Sequence, residues 1–169
     1  LPAEELTIEI EAIGSGRIYA DYTFQDCCDI DSFAYNETSI PVGPCETMGG
    51  YCMSGTKRAS WMFQMPDLEP GSELLSITFD GRHTGGSGAF SLRGKWFTSG
   101  SYGYSTALEG WSNPFFTNSV GSSGGNFSFP LPIDLDGGDW DAGYLMLSAY
   151  RSTYMTFYNS GTLRPKIRM

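Results

Sequence analysis

Residues 57–80, KRASWMFQMPDLEPGSELLSITFD, alternate apolar and polar side chains on both sides of a proline-containing break. Ala59, Trp61, Phe63 and Met65 fall on one face with Ser60 and Gln64 opposite, and Leu75, Ile77 and Phe79 share a face opposite Ser76, Thr78 and Asp80. A period of two is that of a half-buried strand. Pro66, Pro70 and Gly71 stop any helix from running through and supply a turn or loop. The stretch predicts a pair of core strands, so the chain around it is a β protein.

Other segments repeat the pattern. Leu6, Ile8, Ile10 and Ala12 alternate with Thr7, Glu9 and Glu11, giving a first strand with an acidic outer face. Gly14 and Gly16 end it, and Ile18, Ala20, Tyr22 and Phe24 form a second strand that the Gly-Ser-Gly connection lets pair with the first as a hairpin. AFSLRGKWF places Phe90, Leu92 and Trp96 inward, with Gly94 in the apolar register marking a bulge or a close neighbour. Residues 127–135 alternate, but Pro130 and Pro132 confine them to an edge or a bulged strand. YLMLSAY is apolar on both faces and therefore central, and YMTFY and TLRPKIRM close the chain, the last with Leu163, Ile167 and Met169 inward. Residues 25–56 and 99–125 lack sustained periodicity and are expected to be long surface loops, the second with one edge strand at most.

A chain of 169 residues with 22 Gly, 9 Pro and 15% aromatics suits many short strands joined by turns, with almost no helix. The expected fold is all-β, a two-sheet antiparallel β-sandwich of jelly-roll type with a disulfide-stapled long loop, and residues 1–169 make one domain. A net charge of −9 argues against nucleic-acid phosphates and anionic lipid as partners. No apolar run approaches the ~20 residues of a membrane span, so no membrane insertion is expected. The acidic start LPAEEL is unlike a signal peptide, so a secreted product would be represented here in its mature form.

Cys27, Cys28, Cys45 and Cys52 lie within the first long loop and match no zinc spacing. A bond between the adjacent Cys27 and Cys28 would close a strained ring, so each is expected to bond Cys45 or Cys52, with the choice left open. Sequons at Asn36 and Asn126 agree with a glycosylated extracellular product and equally with chance occurrence.

His83 is the only histidine, flanked by Gly81, Thr84, Gly85 and Gly86, and reads as a turn residue before it reads as a catalytic base. No nucleophile elbow, zincin or phosphate-loop motif occurs, so the chain is expected not to be an enzyme. Asp134, Asp136, Asp139 and Asp141 offer hard oxygen ligands for Ca²⁺ or form a solvated acidic turn; Asp26, Asp29 and Asp31 make a second, sparser cluster. No cofactor is required beyond that possible Ca²⁺ ion. Tyr102, Tyr104, Trp111 and Trp140, with Phe115 and Phe116, lie among Gly, Ser and Asn and read either as a platform stacking on sugar rings or as lids folded onto the sheets.

The order of RASWMFQM, the Pro-Gly turn in PDLEPGSELLSITF, the loop tryptophan of EGWSNPFF, PIDLDGGDWDAGYLMLSAY and the closing RPKIRM resembles the extracellular DNRLRE-type β-jelly-roll domains, which are related to a class of carbohydrate-binding modules. The resemblance spans most of residues 8–169 and rests on strand alternation and turns. The cysteine loop and the glycine-rich segment after Asp80 depart from it. It implies a non-catalytic module of a secreted or cell-surface protein and assigns no binding residue. The expected function is that of an extracellular structural subunit of a surface layer, appendage or filament, self-associating as a homopolymer. The alternative is a carbohydrate-binding module that takes a polysaccharide. Residues 1–12 are the expected connector, either exchanged between copies or kept as a first strand.

Overall fold

A computed structural model describes residues 4–20, 34–44, 56–85, 88–123, 125–133 and 139–169. In chain order these form β1 (Glu9–Glu11), β2 (Gly14–Ala20), β3 (Ala34–Tyr35), β4 (Ser39–Pro44), β5 (Thr56–Gln64), β6 (Thr78–Thr84), β7 (Phe90–Phe97), α1 (Tyr104–Ser112), β8 (Phe116–Val120), β9 (Asn126–Pro130), β10 (Tyr144–Tyr150), β11 (Met155–Tyr158) and β12 (Lys166–Arg168). Every strand pairing among the described residues is antiparallel. Among the described residues the fold is all-β with one short α-helix.

The strands form one continuous sheet in the order β1-β12-β6-β11-β4-β5-β10-β7-β8, with β2 on β5, β3 on β2 and β9 on β6. It folds back on itself. Trp61 of β5 meets Phe79 of β6 at 5.4 Å and Phe157 of β11 at 5.0 Å between ring centroids, although neither strand is hydrogen-bonded to β5. Phe63, Leu92, Leu145, Leu147 and Ile167 are fully buried in the same core. β4 turns the corner: residues 39–42 pair with β11, and Gly43 and Pro44 pair with β5. Gly43 takes φ +135 there, in the region that favours glycine.

Alternation located β5, β7 and β12, and β10, YLMLSAY, is central as its two apolar faces require, lying between β5 and β7. β5 and β6 are both core strands, as expected, and face one another across the core without being hydrogen-bonded to each other. Several expectations are corrected. β6 starts at Thr78 and runs on through His83, so Leu75 lies outside it and is 67% exposed. β5 is buried on both faces, because Arg58, Ser60 and Met62 lie beneath α1 and Tyr102. The first two strands form no hairpin: β1 pairs with β12 and β2 with β5. Gly14 is a strand residue, and a Cβ there would stand 2.7 Å from the Tyr102 ring lying across it.

The first long loop contains β4, whose Ile40 and Val42 are core residues. The second contains α1 and β8. β9 is an edge strand, as its prolines require, and ends at Pro130. Leu163 is 37% exposed in a 3-10 turn, whereas Ile167 is buried. Gly94 has the close neighbour expected of it, since a Cβ there would run into the ring of Phe116.

Candidate functional site

The acidic first strand ends the sheet. Ile8 and Met169 exchange two main-chain hydrogen bonds of 2.9 Å each, and β1 then pairs Glu9, Ile10 and Glu11 with Arg168, Ile167 and Lys166. Side chains add to this: Lys166 Nζ of β12 lies 2.7 Å from Glu9 Oε1, Arg164 Nη1, two residues before β12, lies 3.7 Å from Glu11 Oε2, and on β12's other side Arg168 reaches Asp80 of β6 at 3.2 Å. In an antiparallel ladder bonded and non-bonded pairs alternate. With Ile8 bonded to Met169, Ile10 is the next bonded residue, and the N–H and C=O groups of Glu9 and Glu11 turn away from β12. They face a cleft of about 550 Å³ between β1, residues 64–67 and residues 143–144. A groove of about 720 Å³ adjoins the preceding segment and is lined by Leu6 and Leu75, which are 75% and 67% exposed. Two apolar side chains that open to water beside an unpaired edge mark a contact surface.

The aromatic candidates lie elsewhere, and mostly under cover. Trp111 sits in α1 and not in a loop, is only 6% exposed, and packs against Ala107, Met146 and Ile18. Its indole centroid lies 4.0 Å from the Arg58 guanidinium and 3.9 Å from that of Arg93. These residues belong to strands that flank β10, so the indole is clamped between two cations. Arg93 also donates to the Trp111 carbonyl at 2.8 Å, and Lys95 donates to the Asn113 carbonyl at 3.1 Å, placing cations at the C-terminal end of the helix dipole. Burial first, and then the like charge of Arg93, lower the Arg58 pKa to about 10, with Tyr150 acting in the opposite sense; Arg58 is charged at neutral pH. Arg58 and Arg93 were not singled out from the sequence, where the available signal was an arginine on the polar face of each of two flanking strands.

Tyr102 lies over β5, with its hydroxyl 2.6 Å from Ser60 Oγ, and Tyr104 packs half-buried at the start of α1. Trp140 donates to the Pro66 carbonyl at 3.1 Å and lies 6.0 Å from Trp96. The four rings therefore share no open platform: Trp111, Tyr102 and Tyr104 pin the helical cover on one face, and Trp140 pins the turn of residues 139–142. Phe115 is 55% exposed and meets only Phe116 among the aromatic contacts of the described residues.

His83 is a strand residue rather than a turn residue and is 2% exposed. The Thr84 carbonyl, 2.9 Å from Nδ1, can only accept, so Nδ1 carries the proton. Nε2 lies 2.7 Å from the Ser122 Oγ, and that hydroxyl lies within donating distance, 3.1 Å, of the Gly88 carbonyl. The spacing is that of a hydroxyl and a general base. Among the described residues the ring packs against Phe90, Phe127 and Phe157, and it is 2% exposed. The pair is better suited to joining the loop after β8 to β6. Ser122→Ala should cost about 1–3 kcal/mol by stranding Nε2, read as a lower urea midpoint at unchanged slope.

Asp139 and Asp141 lie in the 3-10 turn, while Asp134, Asp136 and the cluster Asp26, Asp29 and Asp31 fall outside the described residues. Among the described residues no three His, Cys, Asp or Glu side chains come together as a metal site. Cys27, Cys28, Cys45 and Cys52 also lie outside the described residues. The sequon residues Asn36 and Asn126 are both exposed, Asn36 with φ +52, a conformation that asparagine tolerates. Among the described residues no helix is long and apolar enough to cross a membrane. No family model matches the chain, and no curated protein does so either.

Proposed function

We propose that the chain is a non-catalytic extracellular building block, a single β-sandwich of jelly-roll type that assembles into a surface layer, appendage or filament through its sheet edges. The observation that carries this reading is the free edge of β1, where the outward main-chain groups of Glu9 and Glu11 face an open cleft beside exposed Leu6 and Leu75. Unpaired edges template strand addition, in which main-chain hydrogen bonds supply affinity and alternate side chains supply register. The carbohydrate-binding alternative draws less support, since Trp111 and Tyr102 give their faces to Arg58, Arg93 and β5 rather than to solvent. The extracellular setting rests on the four cysteines and two exposed sequons.

Sedimentation velocity over a wide concentration range, with electron microscopy, tests the reading. The intact chain should form oligomers or filaments, and a chain lacking residues 1–12 should stay folded and monomeric. A strictly monomeric intact chain at high concentration would overturn the proposal. An unfolded truncation would show that the first strand is needed by its own core and does not act as a connector.

A further inference from the structure

We infer that His83 and Ser122 form a proton-operated clip, which is complete only when the His83 imidazole carries a second proton taken up from solvent. The clip lies within one chain and acts whatever the copies assemble into. A row of three contacts runs from one main-chain carbonyl to another: Thr84 C=O to Nδ1 at 2.9 Å, Nε2 to Ser122 Oγ at 2.7 Å, and Ser122 Oγ to Gly88 C=O at 3.1 Å. Both carbonyls can only accept, while a neutral imidazole and a hydroxyl bring one hydrogen each. With Nδ1–H given to Thr84, the hydroxyl hydrogen serves either Nε2 or the Gly88 carbonyl, and the contact it leaves has lone pairs facing each other. The imidazolium supplies the missing hydrogen. Nε2–H then donates to Ser122 Oγ, and the hydroxyl turns to donate to Gly88.

The contacts tie together segments that are distant in sequence. Gly88 lies just before β7, and its link to Ser122 spans 34 residues. Ser122 precedes the turn into β9, where Ser123 and Asn126 exchange two main-chain bonds of 3.2 Å, and the His83 N–H donates to the Gly125 carbonyl at 2.8 Å. The turn is thus fastened to β6 through the His83 backbone in either protonation state. The His83 ring adds the bond that responds to pH.

Burial opposes charge on a ring that is 2% exposed. The groups packed against it answer part of that cost, because Phe90, Phe127 and Phe157 place their ring centroids 5.9, 6.2 and 6.0 Å away, and π systems at such distances attract a cation. The charged neighbours on β6 are engaged elsewhere, Asp80 with Ser128 and Arg168 and Arg82 with Tyr158. On β7, Arg93 and Lys95 serve the end of α1. Arg151 reaches the Gly85 carbonyl at 3.4 Å and lies against Gly88, so its like charge works against the imidazolium. Among the described residues no carboxylate pairs with His83. The third hydrogen bond therefore sets the sign. It exists only in the protonated form, so its stabilisation is present in acid and is lost as pH rises through the histidine range, between about pH 5 and pH 8.

His83 is the only histidine, so the whole chain labelled with isotopic nitrogen in histidine gives NMR signals from this one ring. At about pH 8 the folded protein should show Nδ1 protonated and Nε2 bare, and at about pH 5 both nitrogens protonated. Urea titrations of the parent and of Ser122→Ala, which share every other titrating group, measure what the hydroxyl adds. The ratio of their folding equilibrium constants should be about fivefold larger at about pH 5 than at about pH 8, the worth of one hydrogen bond. Ser122→Thr, which keeps a hydroxyl, should restore the parent's dependence. A bare Nδ1 at about pH 8, a folded ring that stays neutral at about pH 5, or a ratio that is flat or falls in acid would each overturn the clip. If Ser122→Ala does not fold, the ring nitrogens of the parent decide alone.

Discussion

Trp111→Ala is expected to cost about 3–5 kcal/mol of folding stability, the range for truncating a buried aromatic residue. With a urea slope of about 2 kcal/mol per molar, the midpoint should fall by roughly 2 M. Part of the loss is packing, since the indole is 6% exposed and anchors α1 on Met146 and Ile18. Part is electrostatic. The ring stands between the Arg58 and Arg93 guanidinium groups at 4.0 and 3.9 Å, and each contact of this kind contributes about 0.5–2 kcal/mol. Removing the ring leaves two like charges facing each other across the space it filled, one of them on a buried arginine whose pKa is already lowered to about 10. Trp111→Phe keeps a π face and most of the packing and should recover more than half of the loss. A tryptophan that served as an exposed sugar platform would behave differently, because replacing it would alter stability by no more than about 0.5 kcal/mol. A change that small would show that α1 does not hold this residue against the sheet.

Trp61→Ala should be at least as damaging. Its ring is fully buried between Phe79 and Phe157, and its Nε1 donates to Asn159 Oδ1 at 3.1 Å. Asn159 is itself 3% exposed and donates through Nδ2 to Ser15 Oγ at 2.8 Å and to the Glu37 carbonyl at 2.6 Å. One amide thus ties β5 to β2, to the start of β4 and to the turn after β11. Deleting the indole opens a cavity worth about 3–5 kcal/mol and strands a buried acceptor worth about 1–3 kcal/mol more. The sum is comparable to the whole stability of many domains, about 5–15 kcal/mol, so the alanine variant is expected to be largely unfolded at 37 °C. Trp61→Phe isolates the second contribution and should remain folded with a loss of about 1–3 kcal/mol, measured by denaturant titration. A Trp61→Phe variant as stable as the parent would show that the Asn159 bond contributes nothing net.

The strands legible in the sequence are those whose alternation is set by a single buried face or by two. β5, β7 and β10 fall in this class, because Trp61, Phe63, Phe90, Leu92 and Leu145 each have to leave water. β4 was hidden for the opposite reason. Its period is interrupted by Pro41, Gly43 and Pro44, which are the residues that let one strand serve two partners at the corner of the sheet. α1 was missed because YSTALEGWS carries no side-chain cap at Gly103 and little helical patterning of its own; its stability comes from Trp111 and Ala107 packing onto β10 and from Arg93 and Lys95 at its C-terminal end. Such tertiary support leaves no local trace in the sequence. His83 was misjudged because flanking glycines suggest a turn, whereas Gly81 is glycine so that the Phe127 ring can lie against its backbone. The acidic face of β1 was legible from Glu9 and Glu11. Which of its edges stays open was not, because that depends on a partner strand at the far end of the chain.

That far partner also orders events in time. Lys166 and Glu9, which pair across β1 and β12, are 157 residues apart, so their contact closes nearly the whole chain as one loop. By contrast, β7, α1 and β8 are consecutive and pack together within residues 90–120, which makes them the natural place for folding to begin. Folding is expected to proceed outward from that segment, over milliseconds to seconds for an all-β topology, with β1 the last strand to dock. During that interval a chain already folded elsewhere presents Ile167 and the basic row of β12 without cover. Whichever suitable strand arrives first can occupy the position, so the local concentration of incoming chains during synthesis bears on whether each copy closes on its own β1 or captures a neighbour's.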